Sequence, residues 1–319
     1  MSKSIFLILL AVVCACSRSG NPVTRIAIFR GEEFTPLAHS LGHFTAEGLE
    51  VEIHDLPSTS KAMEALFGGS ADVVTGGYDH ALRLALEGKR AKSFVVLTVR
   101  SPLALVVSPK APHIRRIEDL KGALVGVSAF GSSGNHFINL LLSRHGLSPK
   151  DIHLVATGGG HAVTVASAEQ GRVAAIVTLP VSLAVLQARH PRLTILANAS
   201  TLEGTRQIFG VDRYPGICMM AQASWLEKNG DTAARLARAM VRTLVWAREH
   251  TAEQLRQQLP NRSGQPEELE GLRATVAVAS PDGRMPPQGP DAVRDVLAAT
   301  YPAVRTLDLS TTFTADLVR

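Results

Sequence analysis

From Arg25 onward, short apolar runs rich in β-branched residues alternate with longer stretches whose apolar positions recur every three or four residues. The short runs at residues 25–29, 49–54, 72–75 and 94–99 read as strands. The stretches between them, 36–47, 58–67 and 78–87, read as helices, each with a glycine close beyond it. The same alternation returns further on, with strands over 124–128, 152–156, 173–178 and 193–196 and helices over 133–145, 161–170 and 181–189. A long amphipathic helix follows over 231–250, then shorter helical pieces and a proline-rich stretch, PDGRMPPQGP, expected as a surface loop. Strand–helix alternation of this kind predicts mixed, mainly parallel α/β sheets.

Two stretches interrupt the rhythm. VVLTVRSPLALVVSPK, from Val95, is a pair of apolar runs broken at Ser101-Pro102, and RYPGICMMAQ, from Arg213, leads back into a strand. Read as crossings, they make a discontinuous first lobe (25–102 with 216–319) and an inserted second lobe (103–215). Two lobes joined by two crossings leave a cleft between them and a hinge beside it, which suits closure around a ligand.

The stretch before Arg25 follows different rules. MSKSIFLILLAVVCACS places a lysine ahead of an apolar run from Ile5 to Val13 that is too short to span a bilayer, as in an export signal. Val13-Cys14-Ala15-Cys16 has the form of a bacterial lipobox. On that reading residues 1–15 are a signal peptide, Cys16 is the acylated mature N-terminus, and 16–24 form a tether holding the protein to a membrane. A plain secretory signal cut nearby is the alternative. Of the three cysteines, only Cys218 then remains free in the mature chain; among Ile217 and Met219-Met220 it reads as a buried strand thiol.

Composition narrows the function classes. The chain has 319 residues, enough to bury a large core, with 45% hydrophobic and 19% charged residues. Aromatics are only 5%, which argues against stacking platforms for nucleic acid. The net charge of +5 comes from scattered Lys and Arg, in runs no longer than Arg115-Arg116, so it describes a solvated surface.

Candidate chemistry gathers where strands end. SAFGSSGNHF, from Ser128, puts Gly131, Ser132 and Ser133 at the start of a helix. Its exposed N–H groups carry partial positive charge, and the glycines permit close approach. Such a mouth suits an oxyanion: sulfonate, nitrate, carboxylate or phosphate. A simple N-cap at Ser133 with Gly131 in a turn is the competing explanation. Strand ends facing a cleft are the usual ligand position in open α/β sheets. Gly31, Phe34 and Thr35 follow the first strand, and Gly77, Tyr78 and Asp79 the third. His161, Thr178 and Pro180 come from the second block, while Tyr214 sits at the return crossing. His39 and His43 stand four apart on an expected helix, and His80, His136 and His161 fall just inside pocket helices. No acidic residue follows His39 as a zinc-hydrolase motif requires, so no metal is expected.

Several segments, taken in order, resemble the periplasmic substrate-binding proteins of ABC importers, specifically the nitrate/sulfonate/taurine group that shares its fold with thiamine-pyrimidine-precursor binders. They are LGHFTAEGLEVEI from Leu41, ALFGGSADVVTGGYDHALRLALEGK from Ala65, IRRIEDLKGALVGVSAFGSSGNHF from Ile114, HGLSPKDI from His145 and ASAEQGRVAAIVTLP from Ala166. His43, Ala174 and Thr178-Leu179 depart from the family's pattern near the expected pocket, which bears on solute identity more than on fold. The resemblance implies a two-lobed periplasmic binding protein of type II-like fold, and a periplasmic or cell-surface location. It further implies a small-molecule solute taken without a cofactor, an ABC permease as partner and a monomeric state. The alternatives are an enzyme of the same fold, such as a thiamine-pyrimidine synthase or a menaquinone-pathway lyase, and a sensory ligand-binding protein.

Overall fold

The computed structural model describes residues 22–260 and 265–318. The leader, Cys16 and residues 17–21 of the tether lie outside the described residues. The chain forms two five-stranded sheets. The first uses β1 (Thr24–Phe29), β2 (Val51–Leu56), β3 (Val73–Gly77), β4 (Ala91–Val96) and β10 (Ile217–Gln222), in the order β2-β1-β3-β10-β4. The second uses β5 (Ala104–Val107), β6 (Leu124–Val127), β7 (His153–Ala156), β8 (Ala175–Thr178) and β9 (Ile195–Asn198), in the order β7-β6-β8-β5-β9. In each sheet the strands built by strand–helix–strand crossovers are parallel. The arriving strand, β10 or β5, runs antiparallel to both its neighbours.

Helices supply the crossovers: α1 (Phe34–Ser40), α2 (His43–Ala46), α3 (Thr59–Gly68) and α4 (Asp79–Leu86) in the first half. α5 (Ser133–Arg144), α6 (His161–Glu169), α7 (Pro180–Arg189) and α8 (Leu202–Phe209) accompany the second sheet. The expected helix over 36–47 is two helices, because Gly42 adopts φ 70° and breaks the run between α1 and α2. His39 and His43 therefore do not share one helix, and His43 Nδ1 instead lies 2.8 Å from Thr243 Oγ1.

The C-terminal part is helical: α9 (Ala223–Lys228), α10 (Gly230–Glu249), α11 (Ala252–Gln258), α12 (Pro266–Ala277) and α13 (Gly289–Ala298). The apolar stripe of α10 covers the first sheet beside α1 and α2. α12 reaches the second sheet's helices: Gly271 lies so close to α7 that a Cβ there would sit 2.4 Å from Val181 Cα. α13 packs against both α4 and α5. The proline-rich stretch is less exposed than a surface loop. Gly283, Pro286, Gly289 and Pro290 are buried, and the Gly283 carbonyl accepts from the Val96 amide at 2.7 Å.

The two connections between sheets run side by side. Tyr214 N–H donates to Val99 O at 2.8 Å, Gly216 N–H to Thr98 O at 3.0 Å, and Ile217 N–H to Thr98 Oγ1 at 2.8 Å. Cys218 is fully buried in β10, between β3 and β4.

Candidate functional site

A cavity of about 100 Å³ lies where the strand ends of the two sheets face one another. One wall comes from the first sheet's side: Phe29, Pro57-Ser58-Thr59, Gly77 and Asp79. The other comes from the second: Ser128, Ser132-Ser133-Gly134, Gly159-Gly160-His161 and Thr178-Leu179. The connections add Ser101-Pro102-Leu103 and Tyr214. Much of the lining is apolar, and the rings of Phe209 and Tyr214 stack with centroids 3.9 Å apart at 15°. Arg30 is the only Arg or Lys in the wall; its side chain is half exposed and reaches Asp55 at 3.3 Å. Apart from Arg30 and the Asp79 carboxylate, the polar groups of the wall are hydroxyls, amides and imidazoles.

The mouth of α5 shows how the local sequence builds this site. Ser132 takes the N-cap role expected of Ser133, accepting from Asn135 N–H at 3.3 Å. Gly131, at φ 70°, makes the turn and donates its N–H to Asn135 Oδ1 at 2.9 Å. Ser133 is left free for the cleft, where its Oγ donates to Asp79 Oδ1 at 2.8 Å. The amides of Ser133 and Gly134 precede the helix's own hydrogen bonds, so this turn keeps donor capacity.

Asp79, 6% exposed, also faces His136 Nδ1 through Oδ2 at 2.5 Å. Burial alone would raise this carboxyl's pKa. Interactions with His80 and His136 and the Ser133 hydrogen bond outweigh it, and the group is held well below the usual carboxylate range. His80 is fully buried with both ring nitrogens unpartnered among the described residues; burial, only partly offset by Asp79, lowers it to about 4. It is neutral at pH 7, so His136 and Ser133 are the groups that hold the ionised Asp79 there. His161 bridges Ser182 Oγ at 3.0 Å and Glu33 Oε1 at 3.2 Å, and burial pulls its pKa down against the charge of Glu268.

The expected site residues divide. Gly77, Asp79, Ser132, Ser133, His161, Thr178 and Tyr214 line the cavity. Gly31 stands behind it: at φ 100° its Cα side faces Leu179 and His161 so closely that a Cβ would lie 3.0 Å from Leu179 Cδ1. Gly131 and Pro180 make the turn and the first helical position that place their neighbours. Phe34 and Thr35 are core residues of α1. Tyr78 is fully buried and turned away, its hydroxyl donating to Thr312 Oγ1 at 2.5 Å. Strand-end reasoning overlooked Ser58, which caps α3 by accepting from Lys61 N–H at 3.3 Å and shows the same strand–serine–helix signal as α5. Phe209 had no such signal, since only tertiary packing turns the ring at the end of α8 onto the cavity. Among the described residues no group of three or more His, Cys, Asp or Glu could hold a metal ion.

The model of the NMT1/THI5-like family matches residues 33–254, over two thirds of the chain. The chain belongs to the NMT1/THI5-like family. The chain is also similar to YtlA of Bacillus subtilis (strain 168), described as a binding protein. The two are 24% identical over 257 residues, 79% of this chain and 74% of YtlA. A solved structure from Bordetella bronchiseptica RB50 is 29% identical with a TM-score of 0.84, covering 92% of this chain and 95% of that one. The alkanesulfonate-binding protein SsuA from Xanthomonas axonopodis pv. citri, bound to MOPS, has the same fold. It is 20% identical with a TM-score of 0.71, covering 93% and 98%. The 4-amino-5-hydroxymethyl-2-methylpyrimidine phosphate synthase of Schizosaccharomyces pombe is 29% identical over 134 residues, 42% of this chain and 38% of the enzyme.

Proposed function

We propose that the protein is the extracytoplasmic solute receptor of an ABC importer. It captures a small solute between lobes 25–102 with 216–319 and 103–215, and presents it to a membrane permease. The observation that carries this reading is a cavity walled by strand ends of both sheets, beside two hydrogen-bonded connections able to act as a hinge. The solute has an apolar body, packed against Phe137, Phe209 and Tyr214. Its oxyanion head of sulfonate, nitrate or carboxylate type is taken by the first turn of α5 and the hydroxyls around it. The likeness in fold to an alkanesulfonate-binding protein supports that class. The mature chain, cut after residue 15, is held to the membrane by lipid on Cys16 and works as a monomer.

Binding rather than catalysis is the reading supported by the likeness in fold to an alkanesulfonate-binding protein. The Ser133 hydroxyl donates to Asp79 and not to His136, so that serine has no histidine base; the wall's other serine–histidine pair, Ser182 Oγ at 3.0 Å from His161 Nδ1, has its serine buried. The partial likeness to a pyrimidine phosphate synthase covers too little of either chain to shift that reading.

Thermal-shift screening of the mature protein against alkanesulfonates, nitrate, aromatic carboxylates and pyrimidines tests it. A true solute at a hundred times its Kd adds about 3 kcal/mol of stability. With that solute in hand, Ser132→Ala with Ser133→Ala weakens binding roughly tenfold or more, against about 1 kcal/mol of lost capping. Unchanged affinity by calorimetry would reduce both serines to caps. Replacing Cys16 by Ser moves the protein from the membrane fraction to the soluble one; continued membrane retention would sink the lipid anchor.

A further inference from the structure

The helix start that suits a solute's oxyanion already faces an anion of the protein's own. Asp79 follows β3 of the first sheet, whereas Ser133 and His136 belong to α5 beside the second. Both carboxylate oxygens are committed across the gap, Oδ1 to Ser133 Oγ at 2.8 Å and Oδ2 to His136 Nδ1 at 2.5 Å. A negative charge is stabilised at a helix N-terminus, and the hydroxyl and ring N–H one turn apart are aimed at the same group. The approach depends on a bare backbone at Gly77, where a Cβ would lie 2.2 Å from Ser133 Oγ.

We infer that Asp79 is an intramolecular latch: a resident carboxylate that docks on the mouth of α5 and holds the two lobes together before any solute arrives. The inference rests on the proposal that the two layers move as lobes. When the lobes part, Asp79, Ser133 and His136 exchange these bonds for water. When they close, the carboxylate occupies the position an incoming oxyanion would favour. Solute capture and latching are thereby coupled, because a second negative charge at the same helix start meets the first. Other polar contacts also join the lobes: Ser60 Oγ donates to Phe130 O at 3.2 Å at an exposed position, His161 Nε2 lies 3.2 Å from the buried Glu33 carboxylate, and Asn139 Nδ2 donates to Thr300 Oγ1 at 3.3 Å.

The test needs no knowledge of the solute. Spin labels at Glu64→Cys on α3 and Val163→Cys on α6, both exposed, report the width of the cleft. The full chain is used in detergent with Cys14→Ser and Cys16→Ser, and Cys218 is buried and silent. Pulsed dipolar spectroscopy of the solute-free protein is expected to show a dominant short distance, with Asp79→Asn losing at least half of it to longer distances. Ser133→Ala, which deletes one bond and keeps the charge, loses less and serves if Asp79→Asn fails to fold. Gly159→Ala is the open reference, since its Cβ would lie 1.9 Å from Pro57 O across the mouth. An Asp79→Asn distribution matching the parent while Gly159→Ala opens would overturn the latch and leave the two-lobe reading standing. If neither variant opens, both fall together.

Discussion

Glu32 shows at the scale of one residue how burial sets pH behaviour. It closes the turn after β1, and its Oε1 accepts from Phe34 N–H at 2.7 Å. Burial pushes its carboxyl from 4.5 up to about 7, and hydrogen bonds from Thr35 and the Phe34 amide only partly oppose this. In the unfolded chain the group ionises first, so folding stability falls as pH rises from about 4.5 to 7 and stays reduced above that. The two values correspond to about 3 kcal/mol. Glu32→Gln keeps an acceptor for both amides and cannot ionise, so urea unfolding at pH 5 and pH 8 should show a flatter decline than the parent. An identical decline would place the effect elsewhere. Cys218 follows the same logic: burial pushes its thiol up to about 12. Iodoacetamide should therefore modify it only as fast as the protein unfolds, and rapid labelling of the native state would contradict its place in β10. Its burial was legible from the flanking Ile217 and Met219; the raised Glu32 was not, because no local pattern marks which acidic residue the fold will enclose.

At the scale of elements, hydroxyl side chains cap α3, α5, α8 and α11, satisfying amides that a helix cannot satisfy itself. The mouth of α5 was legible as a strand–glycine–serine–helix junction. Which serine caps and which faces the cleft was not, because that choice depends on Asp79 approaching from another element. The break at Gly42 was likewise hidden inside a continuous apolar period. α12 is the least legible element, its register on α7 being set by the bare face of Gly271. Gly271→Ala would place a methyl against the Val181 backbone and is expected to cost about 2 kcal/mol, read as a lowered Tm. A neutral result would mean that α12 can slide along α7.

At the scale of the molecule, α12 on α7 and α13 between α4 and α5 bind the C-terminal segment to both layers. One apolar cluster accordingly runs from Val74 and Leu82 through Val293 to Ile138 and Val125. Any opening of the cleft must bend around those contacts, and the Asp79 and Gly159 variants measure how far it goes. The alternation of apolar runs and helical periods determined, by itself, that the chain forms two α/β layers with their strands mostly parallel. It did so because burial of one face or stripe is a local demand on every element. The order of segments likewise carried the family. Only the tertiary structure decided that Tyr78 leaves the cleft for Thr312, that Phe209 joins it, and that Asp79 meets Ser133 and His136. The hydrogen-bonded pairings among these join residues 54 to 234 positions apart, and sequence spacing holds no record of which distant groups a closed cavity brings within hydrogen-bond reach.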